Sequence, residues 1–491
     1  MSKIYLISLG CDKNRIDGEV MIGTLRNAGH KVIDDPTQAE GIIVNTCGFI
    51  RDAVQESIDM VLELASYKQE GNCRALIVVG CMAERYRQEI KDTIPEADAI
   101  IGVGEYGDIA RVVEGLLGIP SLALSESASA SADGLQAVSG AASVIADNEG
   151  MSDPYLSRLA ARHDDAIPHV AYVKISEGCD NHCTYCTIPS IRGAYRSRRM
   201  ESILEECRLL VNAGARELVL VAQDTALYGT DIYGEKKLPE LLGKIAAESS
   251  AVWIRLMYAY PEHITPELIK TMAALPQICK YIDMPIQHSE DSILSRMGRS
   301  GSKAELKNLI RNMREKIPGI AIRTTIMVGF PGETAENYKS LYSFVREVKF
   351  DRLGVFPYSR EEGTPAAKMP KQVKDEVKQS RLNRLMILQQ KIHFAKQKSY
   401  IGQTLAVMVD NQYQPTDSEA SALDTIRADI ENPENGFNGV PSTYMYTGRT
   451  QNDAYEVDAT VHFSSPEPLA AGQICKVTIL GANEYDLLGM S

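Results

Sequence analysis

Residues 169–186 read HVAYVKISEGCDNHCTYC, a short apolar run followed at once by three closely spaced cysteines. The run HVAYVKIS is typical of a buried β-strand. The cysteines are Cys179, Cys183 and Cys186, and thiolates with this spacing in one loop can each bind one iron of a cubane cluster. No fourth cysteine is near them, so one iron stays open to an exogenous ligand. The stretch therefore predicts a [4Fe–4S] cluster just past the end of a strand.

Zinc is the alternative metal for this loop. Zinc sites usually draw paired ligands from two segments, and the motif itself contains a single imidazole, His182. A lone histidine between ligand cysteines is more often exposed to solvent. An iron–sulfur cluster is therefore favoured over zinc and over a loop without metal.

The cysteine motif begins a region of alternating apolar runs and helical segments, from about residue 168 to 370. Six candidate strands follow one another there: HVAYVKIS, RELVLVAQ, VWIRLMY, CKYIDMP, IAIRTTIM and DRLGVFPY. About six β/α units predict a barrel or partial barrel whose chemistry lies at the C-terminal ends of the strands. Residues 371–400 carry eight basic and two acidic side chains and predict one solvated connecting helix.

Residues 1–118 alternate in the same way. The runs IYLISLGC, GIIVNTC and ALIVVGC are typical of buried parallel strands and predict a doubly wound α/β domain. Each run ends in a cysteine, namely Cys11, Cys47 or Cys81. Ligands in open α/β sheets gather at the carboxyl ends of strands, and neighbouring strands lie about 4.8 Å apart. The three thiols are therefore predicted to converge on a second [4Fe–4S] cluster, again with one open iron.

The other segments differ in composition. Residues 119–165 are rich in Ala and Ser and predict a linker or insertion. Residues 401–491 contain the runs TLAVMVD, AYEVDATVHF and CKVTILGA, which predict a small β-barrel interrupted by an acidic insertion at about 411–440. This region has 13 Asp and Glu against three Lys and Arg. Such charge suits a basic partner better than a phosphate backbone.

Hydropathy and cysteine content indicate in which cellular compartment the protein is expected. No run of about 18 apolar residues occurs and the N-terminus lacks a cleavable signal pattern, so a cytoplasmic protein without a membrane partner is expected. In a reducing cytosol cysteines are thiols, ligands or catalytic groups. Four of the ten cysteines lack a ligand pattern and are predicted to be buried thiols: Cys73, Cys207, Cys279 and Cys475.

The segment EGCDNHCTYCTIPSIRG, residues 177–193, resembles the cluster loop of the radical-SAM superfamily. In that superfamily the open iron binds the amino and carboxylate groups of S-adenosylmethionine (SAM). The resemblance implies that an electron from the reduced cluster cleaves SAM to methionine and a 5′-deoxyadenosyl radical. It also implies that Tyr185, the aromatic residue before the third cysteine, lies near the adenine. Taken alone, Tyr185 is equally well interpreted as a packing aromatic.

With its two three-cysteine sets the chain resembles the radical-SAM methylthiotransferases over nearly its whole length. The resemblance implies an N-terminal methylthiotransferase domain at 1–118, a radical-SAM domain at 166–400 and a TRAM-like β-barrel at 401–491. Members insert sulfur into an unreactive C–H bond and deliver it methylated. Two SAM molecules per turnover are implied, one donating methyl to sulfur on the N-terminal cluster and one supplying the radical. An electron donor is implied as a partner.

Several segments resemble the branch of this family that modifies the β-carbon of an aspartate in small-subunit ribosomal protein twelve. They include SLGCDKNRIDGE, NTCGFIRDAVQESID, LVAQDTALYG, DMPIQH and ILGANEYDLLG. The resemblance implies this basic protein, and not RNA, as the direct substrate. Asp12 departs from the branch, which usually has proline after the first cysteine. Two alternatives stay open: a transfer-RNA adenosine methylthiotransferase, and a non-catalytic iron–sulfur protein that docks on ribosomes.

Further polar residues lie near the predicted barrel mouth. Gln223 and Asp224 end the run LVLVAQD and Arg323 lies in IAIRTTIM, so these three are candidates to contact SAM. GFPGET, residues 329–334, is a candidate turn near the cofactor. Candidates to bind an anionic substrate group are Arg192, Arg196, Arg198 and Arg199. Each of these residues has a structural interpretation that is at least as good.

Overall fold

The computed structural model describes residues 1–119, 155, 169–414 and 444–491. They form an α/β domain, a partial β/α barrel and a small closed β-barrel. Apart from residues 119 and 155, the predicted linker at 119–165 lies outside the described residues, as does most of the predicted insertion at 411–440. Within the described ranges, no helix is long and apolar enough to cross a membrane.

The N-terminal domain is built on five parallel strands. They are β1 (Lys3–Ser8), β2 (Lys31–Ile33), β3 (Gly41–Thr46), β4 (Ala75–Gly80) and β5 (Ala99–Ile101). The helices are α1 (Asp12–Asn27), α2 (Arg51–Ala65), α3 (Tyr67–Glu70), α4 (Cys81–Arg85), α5 (Arg87–Thr93) and α6 (Ile109–Leu117). The strand order β2-β1-β3-β4-β5 is a flavodoxin-like doubly wound order, with its topological switch point between β1 and β3. The predicted α/β fold of this domain is confirmed.

The central domain supplies eight strands. They are β6 (Val170–Lys174), β7 (Ser176–Glu177), β8 (Arg196–Ser197), β9 (Glu217–Val221), β10 (Trp253–Leu256), β11 (Tyr281–Asp283), β12 (Ala321–Val328) and β13 (Arg352–Pro357). Two parallel sheets, β10-β9-β6 and β11-β12-β13, are joined by one bridge between Ile254 and Ile278, while β7 and β8 form a short hairpin. All six predicted barrel strands are present, and the partial barrel is confirmed.

Helices surround these sheets. They are α7 (Ile188–Arg192), α8 (Met200–Asn212), α9 (Leu238–Glu248), α10 (Pro266–Ala274), α11 (Asp291–Arg296), α12 (Lys303–Lys316), α13 (Ala335–Val348) and α14 (Asp375–Lys398). Successive strand residues point to opposite faces, so Leu218 and Leu220 pack with the helices while Val219 and Val221 face the barrel interior.

The interior of the partial barrel is filled partly by the neighbouring domains. Ile16 and Val20 of α1 pack there with Val219 and Trp253. Met408 of the C-terminal domain belongs to the same cluster. The N-terminal helix and the C-terminal barrel therefore cover apolar surface that a complete barrel would bury by itself.

Helix α14 corrects one prediction from the sequence. The helix itself is confirmed, but the interpretation as a solvated connector is wrong for one of its faces. Leu385, Leu388 and Ile392 are buried in the core of the central domain. Their spacing of three and four residues places them on one side of the helix, and the basic residues elsewhere along the helix conceal this apolar face in the sequence.

The C-terminal domain is a closed five-stranded barrel. Its strands are β14 (Thr404–Tyr413), β15 (Tyr444–Arg449), β16 (Val461–Ser465), β17 (Ile474–Ala482) and β18 (Leu487–Met490), in the order β14-β15-β16-β18-β17. The predicted small barrel is confirmed. The run AYEVDATVHF is strand only from Val461 onward, and the prediction lacked β15 and β18, whose short glycine-containing sequences carry a weak strand signal.

Ion pairs join this barrel to the central domain. Arg449 Nη1 lies 2.7 Å from Glu217 Oε2 at the start of β9. Asp453 pairs with Arg352, and Asp458 accepts a hydrogen bond from the Tyr281 hydroxyl at 2.7 Å. Part of the acidic charge of residues 401–491 is therefore neutralised inside the molecule, which weakens the charge argument for a basic partner.

His288, which follows β11, makes the stability of the fold depend on pH. It has no exposed surface, and burial lowers its pKa from 6.5 to about 3. Below about pH 6.5 the unfolded chain binds a proton that the folded chain excludes, so stability falls by up to about 1.4 kcal/mol per pH unit from this group. We expect the melting temperature of the wild type to drop more between about pH 7.5 and about pH 5.5 than that of His288→Asn. Equal drops in the two proteins would refute this role.

Candidate metal centres

Cys11, Cys47 and Cys81 come together at one edge of the N-terminal sheet. They follow β1, β3 and β4, which are adjacent and parallel, so each thiol lies just beyond the same edge. The side-chain amide of Asn14 ties the loops together by donating to three backbone carbonyls, those of Leu9 at 2.7 Å, Asn45 at 3.3 Å and Thr46 at 3.2 Å. The sheet thus brings together the three cysteines that the sequence predicted as one set.

Glycines allow the close approach of these loops. A Cβ atom on Gly10 would lie 2.9 Å from Cys47 Sγ, and one on Gly48 would lie 2.7 Å from the backbone of Cys81. Gly10 also has a φ of 89°, which side chains other than glycine rarely adopt. Larger residues at these positions would displace the cysteines.

The three thiols interact electrostatically, and these interactions change their pKa values. The pKa of Cys47 is raised to about 11, mainly by burial and to a smaller extent by the sulfurs of Cys11 and Cys81. Burial also raises the pKa of Cys81, although the Arg192 guanidinium opposes this by donating to Sγ at 3.3 Å. Since metal ligands are thiolates, assembly of a metal centre here must release protons.

The second set lies in the loop between β7 and β8. The loop begins at Gly178, where a Cβ atom would lie 2.0 Å from the Ala194 carbonyl oxygen, so only glycine fits. Burial raises the pKa of Cys179 to about 11 and that of Cys186 to about 12, and the Cys183 sulfur adds to both shifts. The loop therefore holds these three thiols close together as well.

Polar groups contact the sulfurs of this loop. The Ile188 amide donates to Cys186 Sγ at 3.4 Å, and the Tyr260 hydroxyl lies 3.3 Å from Cys183 Sγ. Tyr260 was missed by the sequence analysis, although its place just after β10 at the barrel mouth was the available signal.

The chemistry of both sets fits iron–sulfur clusters. Each offers three thiols in mutual proximity with hydrogen-bond donors on sulfur, the kind of contact that tunes such clusters. Within the described ranges, no three His, Cys, Asp or Glu side chains surround a single metal position. The two observations are compatible because each thiolate of a [4Fe–4S] cluster binds a different iron, so the three cysteines need not surround one metal position. His182 is exposed, as expected for a residue outside the ligand set.

Tyr185 belongs to the cluster loop and packs against the GFPGET turn. Its ring meets Phe330 edge to face at 6.4 Å between centroids, and Phe330 meets Tyr358 at 5.4 Å. The packing interpretation of Tyr185 is thus confirmed, and the predicted contact with adenine stays a prediction. Phe330 belongs to the GFPGET turn, which Glu333 closes by accepting from the Phe330 amide at 3.2 Å.

Asp224 anchors the cluster loop to the barrel. It is fully buried, accepts a hydrogen bond from Asn181 at 3.0 Å and lies 2.6 Å from Nδ1 of His263. Arg323 pairs with Asp283 at 2.8 Å. Asp224 and Arg323 thus have structural partners, and Gln223 is half-buried.

Two of the four arginines after the cluster loop are already paired with carboxylates inside the molecule. Arg198 is buried against Glu206 at 2.5 Å, and Arg192 is buried in an ion network. Arg196 donates to the Ala194 carbonyl oxygen at 2.9 Å. The predicted substrate-anion site is therefore wrong for Arg192 and Arg198, because carboxylates inside the molecule already pair with their guanidinium groups, and it stays a prediction for Arg196 and Arg199.

A buried ion network links the two cysteine sets. Lys174 at the end of β6 pairs with Asp17 of α1 and, at 2.6 Å, with Glu177. Arg192 Nη1 reaches Asp17 at 3.1 Å and Glu177 at 2.9 Å, while its Nη2 donates to Cys81. Burial opposes ionisation of Glu177, but Arg192 and Lys174 lower its pKa. The sequence analysis missed this network, although a lysine ending a buried apolar strand was a signal.

The three domains match known families. Residues 3–102 match the uncharacterized protein family UPF0004, residues 173–345 the radical SAM superfamily and residues 438–491 the TRAM domain. Curated relatives named ribosomal protein uS12 methylthiotransferase RimO align over nearly the full chain. The one from Desulforamulus reducens is 44% identical over 100% of this chain and 99% of its own length. The one from Clostridioides difficile is 44% identical over 100% and 98%.

A solved structure shares the fold at low identity. The radical SAM methyltransferase TsrM from Kitasatospora setae, solved with cobalamin and a [4Fe–4S] cluster, gives a TM-score of 0.52 at 15% identity. The match covers 74% of each chain. At this identity it supports the domain architecture and nothing finer.

Proposed function

The chain belongs to the RimO family of ribosomal protein uS12 methylthiotransferases, and on this premise we propose that it adds a methylthio group to the β-carbon of an aspartate in uS12, protein twelve of the small ribosomal subunit. The observation that carries the proposal is the pair of three-cysteine sets on one chain, with Arg192, six residues after the second set, in contact with Cys81 of the first. The substrate is a ribosomal protein, so we place the activity in the cytoplasm.

Each cysteine set has a separate task in this proposal. Cys179, Cys183 and Cys186 hold the cluster that binds SAM, and Cys11, Cys47 and Cys81 hold the second [4Fe–4S] cluster. When bound, these groups supply a radical that removes hydrogen from the substrate carbon and a methylated sulfur that takes its place. SAM cleavage is reductive, so an external electron donor belongs to the proposal.

The chain's own residues place and tune these groups. Tyr260 and the Ile188 amide donate toward the sulfurs of the radical-forming set. Tyr185 and Phe330 offer an aromatic wall next to that set, suited to the adenine of SAM. Asp224 holds the cluster loop through Asn181, so the loop keeps its position on the barrel mouth when substrate enters.

We propose that RNA is not the direct substrate. A TRAM barrel that binds RNA needs basic side chains that contact the phosphates. The C-terminal segment has three Lys and Arg, and one of them, Arg449, is buried in ion pairs with Glu217 and Asp410. Few cations therefore remain for phosphate contacts.

Mass spectrometry of both substrate classes tests the function. The reconstituted anaerobic enzyme receives SAM and a reductant together with uS12 or, separately, transfer RNA. We expect one methylthio group in place of one hydrogen on an aspartate peptide of uS12, and unmodified transfer RNA. Modified adenosine with unmodified uS12 would assign the chain to transfer RNA. Absence of 5′-deoxyadenosine under all conditions would favour a non-catalytic iron–sulfur protein instead.

A further inference from the structure

Lys13 is a buried cation beside the N-terminal cysteine set. It lies in the first turn of α1, two residues after Cys11, and only 5% of it is exposed. Its ammonium lies 3.0 Å from the centre of the Tyr258 ring. Tyr258 follows β10 at the mouth of the barrel. The ammonium therefore occupies the place where the edge of the N-terminal sheet meets the barrel mouth.

Lys13 differs from the other buried cations of the described ranges. Each of the others has a carboxylate partner: Lys174, Arg192, Arg198, Arg255, Arg299, Lys378 and Arg449. For Lys13 the contact within the described part of the chain is the Tyr258 ring, with no ion pair or hydrogen bond from its ammonium. A buried cation without a paired anion is unfavourable, so this position is suited to an anion that arrives from outside the chain.

The nearest carboxylates have other partners. The Tyr258 hydroxyl donates to Asp12 Oδ2 at 2.9 Å, and Asp283 is paired with Arg323 at 2.8 Å. Tyr258 itself has a φ of 59°, which is uncommon for a bulky residue and typical of functional sites. Asp12, the residue that departs from the family pattern, thus fixes the ring beneath Lys13.

We propose that Lys13 binds the side-chain carboxylate of the substrate aspartate and makes the enzyme specific for an acidic side chain. The inference rests on the proposed function. The carboxylate carbon is bonded directly to the β-carbon that receives sulfur, so anchoring the carboxylate fixes the reacting carbon beside the N-terminal cysteine set, at the barrel mouth. The base of an adenosine carries no negative charge, and Lys13 gives it no comparable anchor.

A double-mutant cycle on binding tests the pairing. The reconstituted holoenzyme, without reductant, is titrated with uS12 and with uS12 whose target aspartate is replaced by asparagine. We expect the wild type to bind the asparagine form at least about tenfold more weakly, because a charge-assisted contact is lost. Lys13→Met should bind both forms alike, and Lys13→Arg should retain a preference for aspartate. Arg15→Gln is the matched control on the same helix, since Arg15 already pairs with Glu456 at 3.1 Å.

Iron content and melting temperature establish that each variant is folded and loaded. An aspartate preference in Lys13→Met equal to that of the wild type would overturn the inference, and altered cluster spectra in that case would assign Lys13 to the N-terminal cluster. Equal binding of both uS12 forms by the wild type would overturn it without any variant. If uS12 is methylthiolated but no coupling is found, this inference alone fails. If uS12 is not modified at all, the proposed function fails as well.

Discussion

Replacing Cys11, Cys47 and Cys81 by alanine is expected to abolish methylthio transfer while 5′-deoxyadenosine still forms. Replacing Cys179, Cys183 and Cys186 is expected to abolish both. The physical reason is the division of the six thiols into two sets on different domains, each complete without the other. Each triple variant should bind about four irons per chain where the wild type binds about eight. The lost activities should fall at least about a thousandfold, because the unactivated C–H bond offers no easier route.

Iron analysis, absorbance spectra and chromatography of the nucleoside product measure these outcomes. Cys475→Ala is the matched control, because this cysteine lies in β17 of the C-terminal barrel, far in sequence from both sets. It should retain full iron and activity. An N-terminal triple variant that keeps the full iron content would remove the second cluster from the proposal.

Asp17→Asn is the second substitution with a large expected effect. It removes the carboxylate that pairs with both Lys174 and Arg192, so Glu177 alone must balance two buried cations. Breaking a buried pair in this way costs about 3–5 kcal/mol. We expect a clearly lower melting temperature. We also expect methylthio transfer to fall more than 5′-deoxyadenosine formation, since α1 carries Asp17 and follows Cys11 directly.

The double variant Asp17→Asn with Lys174→Met should regain part of the stability, because it removes one of the unbalanced cations. Asp52→Asn, at an exposed position of α2, is the control and should cost less than about 1 kcal/mol. If Asp17→Asn and Asp52→Asn behave alike, the network does not hold the domains together. If transfer and deoxyadenosine formation fall equally, the network stabilises the molecule without setting the relative position of the two sets.

The four cysteines without a ligand pattern show how far burial can be predicted from the sequence. Cys73, Cys207 and Cys279 are buried, as predicted for thiols without a ligand pattern. Cys475 is only half-buried, so the prediction is wrong there. It is the second residue of β17 and lies on the same face as Val477 and Ile479, so it packs against the barrel core while part of its surface stays exposed.

The two cysteine sets, the order of the domains and the six barrel strands were readable from the chain itself. Spacing and alternation are local properties, and parallel strands then bring their ends to one edge by geometry alone. The ion network of Asp17, Lys174, Glu177 and Arg192, the solitary ammonium of Lys13 and the buried face of α14 were not readable. The ion network and the isolation of Lys13 depend on which distant residues place an opposite charge nearby. The buried face of α14 depends on which distant residues place apolar side chains against it. Pairing across domains has no period along the sequence, so it becomes visible only once the chain is folded.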